Sequence, residues 1–388
     1  MKRSRMGLAL AATATMLFAA CTSGGAATTA PSASAPAASA SASTEPSASA
    51  PAELTKVSLQ LQWAPQAQFA GYFAAKDQGF FEAAGLDVTI LDGGPTVVPQ
   101  QVGSAPDGPE FTISWVPKVL EAREAGSDLV NIAQIFQRSG TLSVSWKDSN
   151  ITKPADFKGK KIGVWDFGNE FEVTAGAKKA GLEQGTDYEK VIQPFDMTLL
   201  LSRQIDVAEA MIYNEYAQVL EATNPETGEL YQPTDLNVIN WNDEGVAMLQ
   251  DALFARAAWL AEAGNEDLAK AFLKASFQGW VYCRENPDDC IQSTVDAGSQ
   301  LPAGHQRWMM NEINPLIWPS PAGIGIMDAD LWQQTVDVSL GAGVIKAAPP
   351  ADAYRTDLAE AALAELADED TKGESFVKGT VEVTAGGA

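Results

Sequence analysis

From residue 54 onward, short runs of alternating apolar and polar residues are separated by amphipathic segments. Alternation predicts strands, whereas apolar residues spaced three and four apart predict helices. The predicted strands cover residues 57–61, 86–91, 110–114, 129–135, 161–165, 191–195, 207–213 and 236–241. The predicted helices cover residues 69–81, 116–125, 171–180, 257–263, 266–284, 287–297 and 328–340. Strands that alternate with helices in this way predict an α/β fold with parallel sheets.

Two strand–helix blocks followed by a mainly helical run predict two α/β lobes. The length of 388 residues agrees with this, because a single core stops growing at about 250–300 residues. We expect residues 54–147 and 248–367 to form the first lobe and residues 148–247 to form the second. The chain would then pass between the lobes twice, and these two connections would form a hinge.

The two ends of the chain lack this pattern. Residues 1–20 combine a basic start with an apolar stretch too short to span a membrane, which is typical of an export signal. The signal ends in Leu17-Phe18-Ala19-Ala20-Cys21, which resembles the lipobox of bacterial lipoproteins. We therefore predict lipid attachment at Cys21 and a location outside the cytoplasm, anchored to the cell membrane. A plain secretory leader with an incidental cysteine is the alternative.

Low-complexity composition marks the segment that follows the leader. Residues 21–53 are rich in Ala, Ser and Pro, so we predict a flexible tether. Residues 368–388 are polar and rich in glycine, and we predict a flexible C-terminal tail.

The net charge and the cysteines narrow the range of expected partners and bound groups. The formal net charge of −24 would repel nucleic acid and anionic lipid headgroups, so neither is an expected partner. Cys283 and Cys290 are close enough in sequence to form a disulfide outside the cytosol, although two unpaired thiols stay an alternative. Because no second pair of ligands accompanies them, we predict no metal site.

Aromatic, amide and carboxylate side chains follow several predicted strands. Ligands of open α/β sheets bind at the carboxyl ends of strands, so these side chains are candidates for a cleft between the lobes. Flat rings stack on a planar solute, and amides donate to and accept from its edge. The candidate ligand-binding residues are Trp63, Gln66, Gln68, Phe69, Tyr72, Ser114, Trp115, Phe167, Asn169, Glu170, Phe171, Tyr213, Asn214 and Glu215.

Simpler roles exist for some of these candidates. Phe69, Tyr72 and Trp115 could belong to the hydrophobic core. Asn169 could cap a helix with Glu172 as the partner of a capping box, and Glu172 could equally be a solvated acid in the first turn.

Residues 59–88 resemble the opening of the thiamine-pyrimidine-synthase-like family of periplasmic solute-binding proteins. Residues 134–141, 163–172 and 210–216 support the resemblance and are more similar to members that import riboflavin than to members that import pyrimidine precursors. The resemblance covers residues 54–344. It implies a two-lobed type II periplasmic-binding-protein fold and a solute receptor that serves an ABC permease and its ATPase. It also implies a solute that is riboflavin or, as second choice, a thiamine pyrimidine precursor. We further expect a monomer without a cofactor.

The same family contains a minority of enzymes. The resemblance implies that these enzymes use a cysteine-rich motif, iron, a lysine-bound pyridoxal phosphate and histidine. This chain has one histidine, His305, and no cysteine cluster, and we expect His305 to lie on the surface or cap a helix. We therefore predict that the protein is not an enzyme. A synthase of this branch and a sensor or adhesion lipoprotein of the same fold are the alternatives.

Overall fold

The computed structural model describes residues 53–388. The predicted export signal, Cys21 and all but the last residue of the predicted tether therefore lie outside the described residues. The strands are β1 (Thr55–Gln60), β2 (Leu86–Leu91), β3 (Phe111–Ser114), β4 (Leu129–Gln134), β5 (Thr141–Trp146), β6 (Lys161–Val164), β7 (Glu189–Ile192), β8 (Val207–Met211), β9 (Leu236–Asn240) and β10 (Ala252–Arg256).

Helices cover both sheets. They are α1 (Ala70–Asp77), α2 (Phe80–Ala83), α3 (Pro99–Gly103), α4 (Val116–Glu124), α5 (Phe171–Lys179), α6 (Thr198–Leu201), α7 (Glu215–Leu220), α8 (Ala257–Leu260), α9 (Asn265–Glu285), α10 (Pro287–Asp296), α11 (Ala303–Ile317), α12 (Ala329–Ala342) and α13 (Asp357–Ala364). Within residues 53–388, no helix is both long and apolar enough to cross a membrane.

The strands form two five-stranded sheets, one in each lobe, with the same arrangement. The first sheet has the order β2-β1-β3-β10-β4, and the second has the order β7-β6-β8-β5-β9. In the first sheet β1 is parallel to β2 and β3, whereas β10 is antiparallel to β3 and β4. In the second sheet β6 is parallel to β7 and β8, whereas β5 is antiparallel to β8 and β9. In each sheet, the antiparallel strand is the one that the chain forms on entering the lobe from the hinge.

The membership of β5 corrects the expected lobe boundary. We expected the first lobe to extend to residue 147, but β5 pairs with β8 and β9 of the second sheet. The first crossing is therefore residues 135–140, and the second is residues 241–251. All of β5 is buried because it is an inner strand with a core on each face, so its polar residues do not mark a surface break.

The predicted helix over residues 69–81 is broken in the structure. It ends as α1 at Asp77, and α2 restarts at Phe80. Gly79 lies between them with φ of 74°, a conformation that glycine adopts without steric cost and that ends a helix. Apolar spacing alone continues through this turn, which is why the sequence predicted one helix.

The C-terminal segment contacts the body along much of its length, which corrects the expected flexible tail. Ser320 N donates to Lys372 O at 2.8 Å, and Gly386 N donates to Glu221 O at 3.0 Å. Gly387 is buried against His305, where a Cβ would lie 2.8 Å from the histidine Cβ. Glycine suggested a flexible tail, but at Gly387 the absence of a side chain instead lets the backbone pack closely against the body.

A disulfide joins Cys283 at the end of α9 to Cys290 in α10. Both cysteines are buried in the core of the first lobe.

Candidate functional site

A cavity of about 280 Å³ lies between the two lobes. Its lining residues follow the carboxyl ends of β1, β2 and β3 in the first lobe and of β6, β7 and β8 in the second. Binding sites of open α/β sheets are found at this position, and their volumes are roughly 300–1,000 Å³. The cavity therefore lies where small-molecule sites of this fold are found, and its volume is near the lower end of their range.

One buried carboxylate organises the wall that the first lobe contributes. Asp251 Oδ1 accepts from Gln62 Nε2 at 2.6 Å and from Trp115 Nε1 at 2.7 Å, and Oδ2 accepts from Gln68 Nε2 at 2.8 Å. Gln68 Oε1 in turn accepts from Gln66 Nε2 at 2.6 Å. Burial raises the pKa of Asp251 to about 7. Four cavity-lining side chains are thus held in one network.

A glycine lets a second loop of the first lobe reach the cavity. Gly93 N donates to Trp63 O at 3.0 Å, and a Cβ on Gly93 would lie 2.5 Å from both Leu61 O and Trp63 N. Only a residue without a side chain allows this close approach. The loop that follows, residues 94–100, therefore lies beside Trp63 and lines the cavity.

Aromatic rings dominate the wall of the second lobe. Trp165 and Phe195 stack with their centroids 5.9 Å apart, and Phe195 also lies 4.4 Å from Trp63 of the first lobe. Phe167 is 79% exposed and has φ of 65°, an unfavourable backbone conformation for a bulky residue. Rings of the two lobes therefore meet at the cavity, and Phe167 stands at its open side.

A polar contact also joins the lobes. Lys118 Nζ, from α4 of the first lobe, donates to Asn169 Oδ1 of the second lobe at 2.7 Å. The same nitrogen lies 4.4 Å from the centroid of the Trp115 ring. Asn169 Nδ2 donates to Asp166 O at 2.7 Å, and its side chain makes no capping bond to α5. Asn169 therefore connects the lobes rather than capping the helix.

Tyr213, Asn214 and Glu215 line the cavity where β8 leads into α7. Glu215 Oε2 accepts from Met211 N, and Oε1 accepts from Asn214 Nδ2, both at 3.0 Å. Burial raises the pKa of Glu215 to about 7, so near neutral pH both the charged and the protonated forms of this carboxyl are populated. It can therefore accept a hydrogen bond from a solute or donate one to it.

Nine of the fourteen predicted residues line this cavity, although their contact with a solute stays a prediction. They are Trp63, Gln66, Gln68, Trp115, Phe167, Asn169, Tyr213, Asn214 and Glu215. The two lobes bring these residues together from widely separated parts of the sequence.

The other five predicted residues do not line the cavity. Phe69 and Tyr72 are buried in the first core, where α1 packs against α9 and Tyr72 lies edge-on against Trp280 of α9. Ser114 is buried within β3. Glu170 accepts from Gly168 N and pairs with Lys190, and Phe171 packs on the second core. These positions are corrections to the predicted site.

Sequence reasoning missed several lining residues. They are Gln62, Lys118, Trp165, Phe195, Met211 and the loop 94–100. Trp165 is the last residue of a predicted strand and residues 94–100 begin three residues after β2, so the position that pointed to Trp63, close after a strand, could also have pointed to both. Lys118 lies inside α4, and nothing in the sequence shows that this face of the helix turns toward the cleft.

The burial and hydrogen-bond partners of His305 and Glu172 differ from those expected. His305 is buried rather than on the surface: Nδ1 lies 2.9 Å from both Glu221 carboxylate oxygens, and Nε2 lies 3.0 Å from Asn214 Oδ1. Glu172 is buried at the hinge, where it accepts from Ser139 Oγ of the first crossing and from Met248 N of the second. Burial raises the pKa of Glu172 to about 7.

Two mixed sheets with two hinge crossings and a cavity between the lobes define a periplasmic-binding-protein fold. The aliphatic sulphonate binding protein SsuA from Escherichia coli aligns with a TM-score of 0.55 at 16% identity, over 76% of this chain and 89% of that chain. The nitrate-binding protein NrtA from Synechocystis PCC 6803 aligns with a TM-score of 0.53 at 16% identity, over 81% and 89%. The predicted two-lobed fold is confirmed.

The sequence profile of the NMT1/THI5-like family matches residues 66–290, more than half of the chain, and the protein belongs to this family. The riboflavin-binding protein RibY from Chloroflexus aurantiacus is 26% identical over 304 residues, which cover 76% of this chain and 83% of the relative. The formylaminopyrimidine-binding protein from Halalkalibacterium halodurans is 24% identical over 243 residues, which cover 61% and 69%. The family resemblance seen in the sequence is confirmed.

Proposed function

We propose that this protein is the solute receptor of an ABC importer and that it binds a flat heteroaromatic vitamin, with riboflavin favoured and a thiamine pyrimidine precursor second. The observation that carries this proposal is the interlobe cavity, to which both lobes contribute rings and amides. Trp63 and Trp115 come from the first lobe, and Trp165, Phe195 and Tyr213 come from the second. Rings on two facing walls suit a planar guest, and the amides suit its polar edge.

The comparisons favour riboflavin within this class. The riboflavin-binding relative aligns over 76% of this chain, whereas the formylaminopyrimidine-binding relative aligns over 61%. Both alignments are long enough to include residues of both lobes, so they support a shared two-lobed architecture. Closure of the lobes would bury the solute and present it to a permease and its ATPase.

The alternative is a thiamine-pyrimidine-synthase-type enzyme, because relatives of that name exist. The yeast synthase THI5 matches over only 116 residues, or 29% of this chain. His305, the single histidine of the sequence, already has partners at both ring nitrogens. We therefore favour a binding protein over an enzyme. An internal-aldimine absorption band, or turnover of pyridoxal phosphate, in the purified protein would support the synthase instead.

Lipid anchoring belongs to the same proposal. Cys21 within Leu17-Phe18-Ala19-Ala20-Cys21 is the proposed attachment site, and it would hold a monomeric receptor at the outer face of the cell membrane. Metabolic labelling with a fatty-acid probe should mark the wild-type protein and fail to mark Cys21→Ser. Equal labelling of both proteins would refute anchoring at this residue.

A fluorescence titration tests the ligand class. The aromatic walls place three tryptophans at the cavity, so a bound flavin should quench the protein's emission. Purified protein is titrated with riboflavin, with formylaminopyrimidine and with thiamine, and a sugar and an amino acid serve as controls. Saturable quenching by riboflavin at the lowest concentration supports the proposal. Saturable binding of only a control solute would overturn it.

A further inference from the structure

Lys118 is the single cationic side chain among the described residues that line the cavity. It lies in the first turn of α4, and its ammonium group donates to Asn169 Oδ1 from the opposite lobe. An ammonium carries three donors, and within residues 53–388 this is the one hydrogen bond that the Lys118 ammonium makes. Donors therefore remain at the cavity wall for another acceptor.

No carboxylate among residues 53–388 forms an ion pair with Lys118. Burial lowers the pKa of Lys118 to about 8, while Asp251, Glu209 and Glu170 act from longer range to raise it. The side chain is therefore still mostly charged at neutral pH. The Lys118 side chain is partly buried, and a partly buried charge without an ion-pair partner is a feature that concentrates at functional sites.

The neighbours of Lys118 explain why its charge faces the cavity. Glu170, a nearby carboxylate, is instead paired with Lys190 at 3.3 Å. The Asp251 carboxylate already accepts hydrogen bonds from Gln62, Gln68 and Trp115. Glu209 accepts from Trp165 N through Oε2, whereas its Oε1 has no hydrogen-bond partner among residues 53–388. None of these three carboxylates contacts Lys118 directly, and the acceptor that does is the neutral amide of Asn169.

We propose that Lys118 forms an acceptor subsite that binds a carbonyl or anionic oxygen on the edge of a planar solute and disfavours solutes with a positive charge. This inference rests on the proposed function and narrows its ligand class to neutral or anionic heteroaromatic rings that carry oxygen acceptors. Riboflavin, with its ring carbonyls, belongs to this class, whereas thiamine, with its cationic ring, does not. Glu215, on the wall of the second lobe, would serve a donor on the same solute.

The test compares Lys118→Met and Lys118→Arg with wild type, and Lys76→Met serves as the matched control because Lys76 is exposed on α1. Dissociation constants for riboflavin and thiamine are measured by fluorescence titration, and melting temperatures are measured without ligand. Lys118→Met should weaken riboflavin binding roughly ten- to a hundredfold, the effect of losing one hydrogen bond to a charged group. Thiamine should bind no more weakly, and the melting temperature should not fall strongly, because the ammonium that is removed is partly buried and has no ion-pair partner.

Lys118→Arg and Lys76→Met test whether the effect depends on the positive charge at position 118. Lys118→Arg should keep the preference for riboflavin over thiamine, and Lys76→Met should match wild type in both affinities. The inference is overturned if Lys118→Met leaves riboflavin affinity unchanged, or weakens both ligands by the same factor together with a lower melting temperature. If wild type binds none of riboflavin, formylaminopyrimidine and thiamine, the proposed function itself fails, which is a different outcome from failure of the subsite.

Discussion

The two walls of the cavity are built differently. In the first lobe, Gln62, Gln68 and Trp115 are fixed by hydrogen bonds to Asp251. In the second lobe, the rings at the rim are more exposed, with Phe167 at 79% and Phe195 at 41%. Trp165 and Tyr213 of the second lobe are buried, so the difference between the walls lies at the rim. We propose that the first lobe offers a preformed surface and that the exposed rings of the second lobe complete the site when the lobes close. Preforming one wall reduces the ordering cost of binding.

The largest expected effect comes from removing the centre of the preformed wall. Asp251→Ala leaves three buried donors without their acceptor, and each such loss costs about 1–3 kcal/mol. We expect the free energy of unfolding to fall by several kcal/mol, on the order of 3 or more, and solute affinity to fall with it. Urea denaturation and fluorescence titration measure the two effects. Asp352→Ala, at an exposed ion pair, is the control and should change neither strongly. A wild-type-like Asp251→Ala would remove the distinction between the walls.

The second prediction concerns the hinge behind the second wall. Glu172 binds both crossings, and its folded pKa of about 7 lies above its ordinary value of 4.5. The folded protein therefore binds more protons than the unfolded chain between these values, so stability falls as pH rises through this window. Glu172→Gln does not ionise and should lose up to about 3 kcal/mol less than wild type between pH 5 and pH 8. Unfolding free energies at both pH values give the comparison, with Glu365→Gln on the surface as control. Identical pH slopes in Glu172→Gln and wild type would contradict this account.

The third prediction addresses the ring that bridges the walls. Trp63→Ala removes a half-buried ring 4.4 Å from Phe195 but leaves the Asp251 network intact. Solute affinity should fall by about tenfold or more, since an aromatic contact and its buried area are lost. The melting curve of the free protein should stay nearly unchanged. Unaltered affinity would show that Trp63 does not contact the solute.

The smallest effect is expected at the rim of the second wall. Phe167→Gly places glycine at φ of 65°, which relieves backbone strain and offsets the entropy cost of glycine. We expect an unchanged or slightly higher melting temperature and an affinity only a few fold weaker, which is roughly 1 kcal/mol or less. Calorimetric melting and titration measure both. A loss as large as that of Trp63→Ala would make the exposed rim as important as the preformed wall.

Much of the fold was predictable because its signals are local. Alternation marks β1 and β3, and the strand-to-helix junctions after β6 and β8 led to Asn169 and Tyr213. The boundary at β5 was wrong because an inner strand buries polar as well as apolar residues, so the run looked like a connecting segment. Its assignment depends on pairing with β8, which lies far along the chain.

The organisation of the site was not predictable in the same way. Gln62 and Asp251 are 189 residues apart, and the sequence shows no sign that they share a hydrogen bond. Glu172 has the spacing of a capping residue, yet it binds two hinge segments that only the folded chain brings together. Such long-range convergence depends on tertiary packing, which local patterns do not encode.

A crystal structure of the protein grown with riboflavin would show whether the cavity between the lobes is the binding site. We expect the flavin ring between the lobes, in contact with Trp63 of the first lobe and Tyr213 of the second, with an oxygen of its edge near Lys118 Nζ. A flavin bound on an outer face, with neither lobe's aromatic wall touching it, would rule out this site.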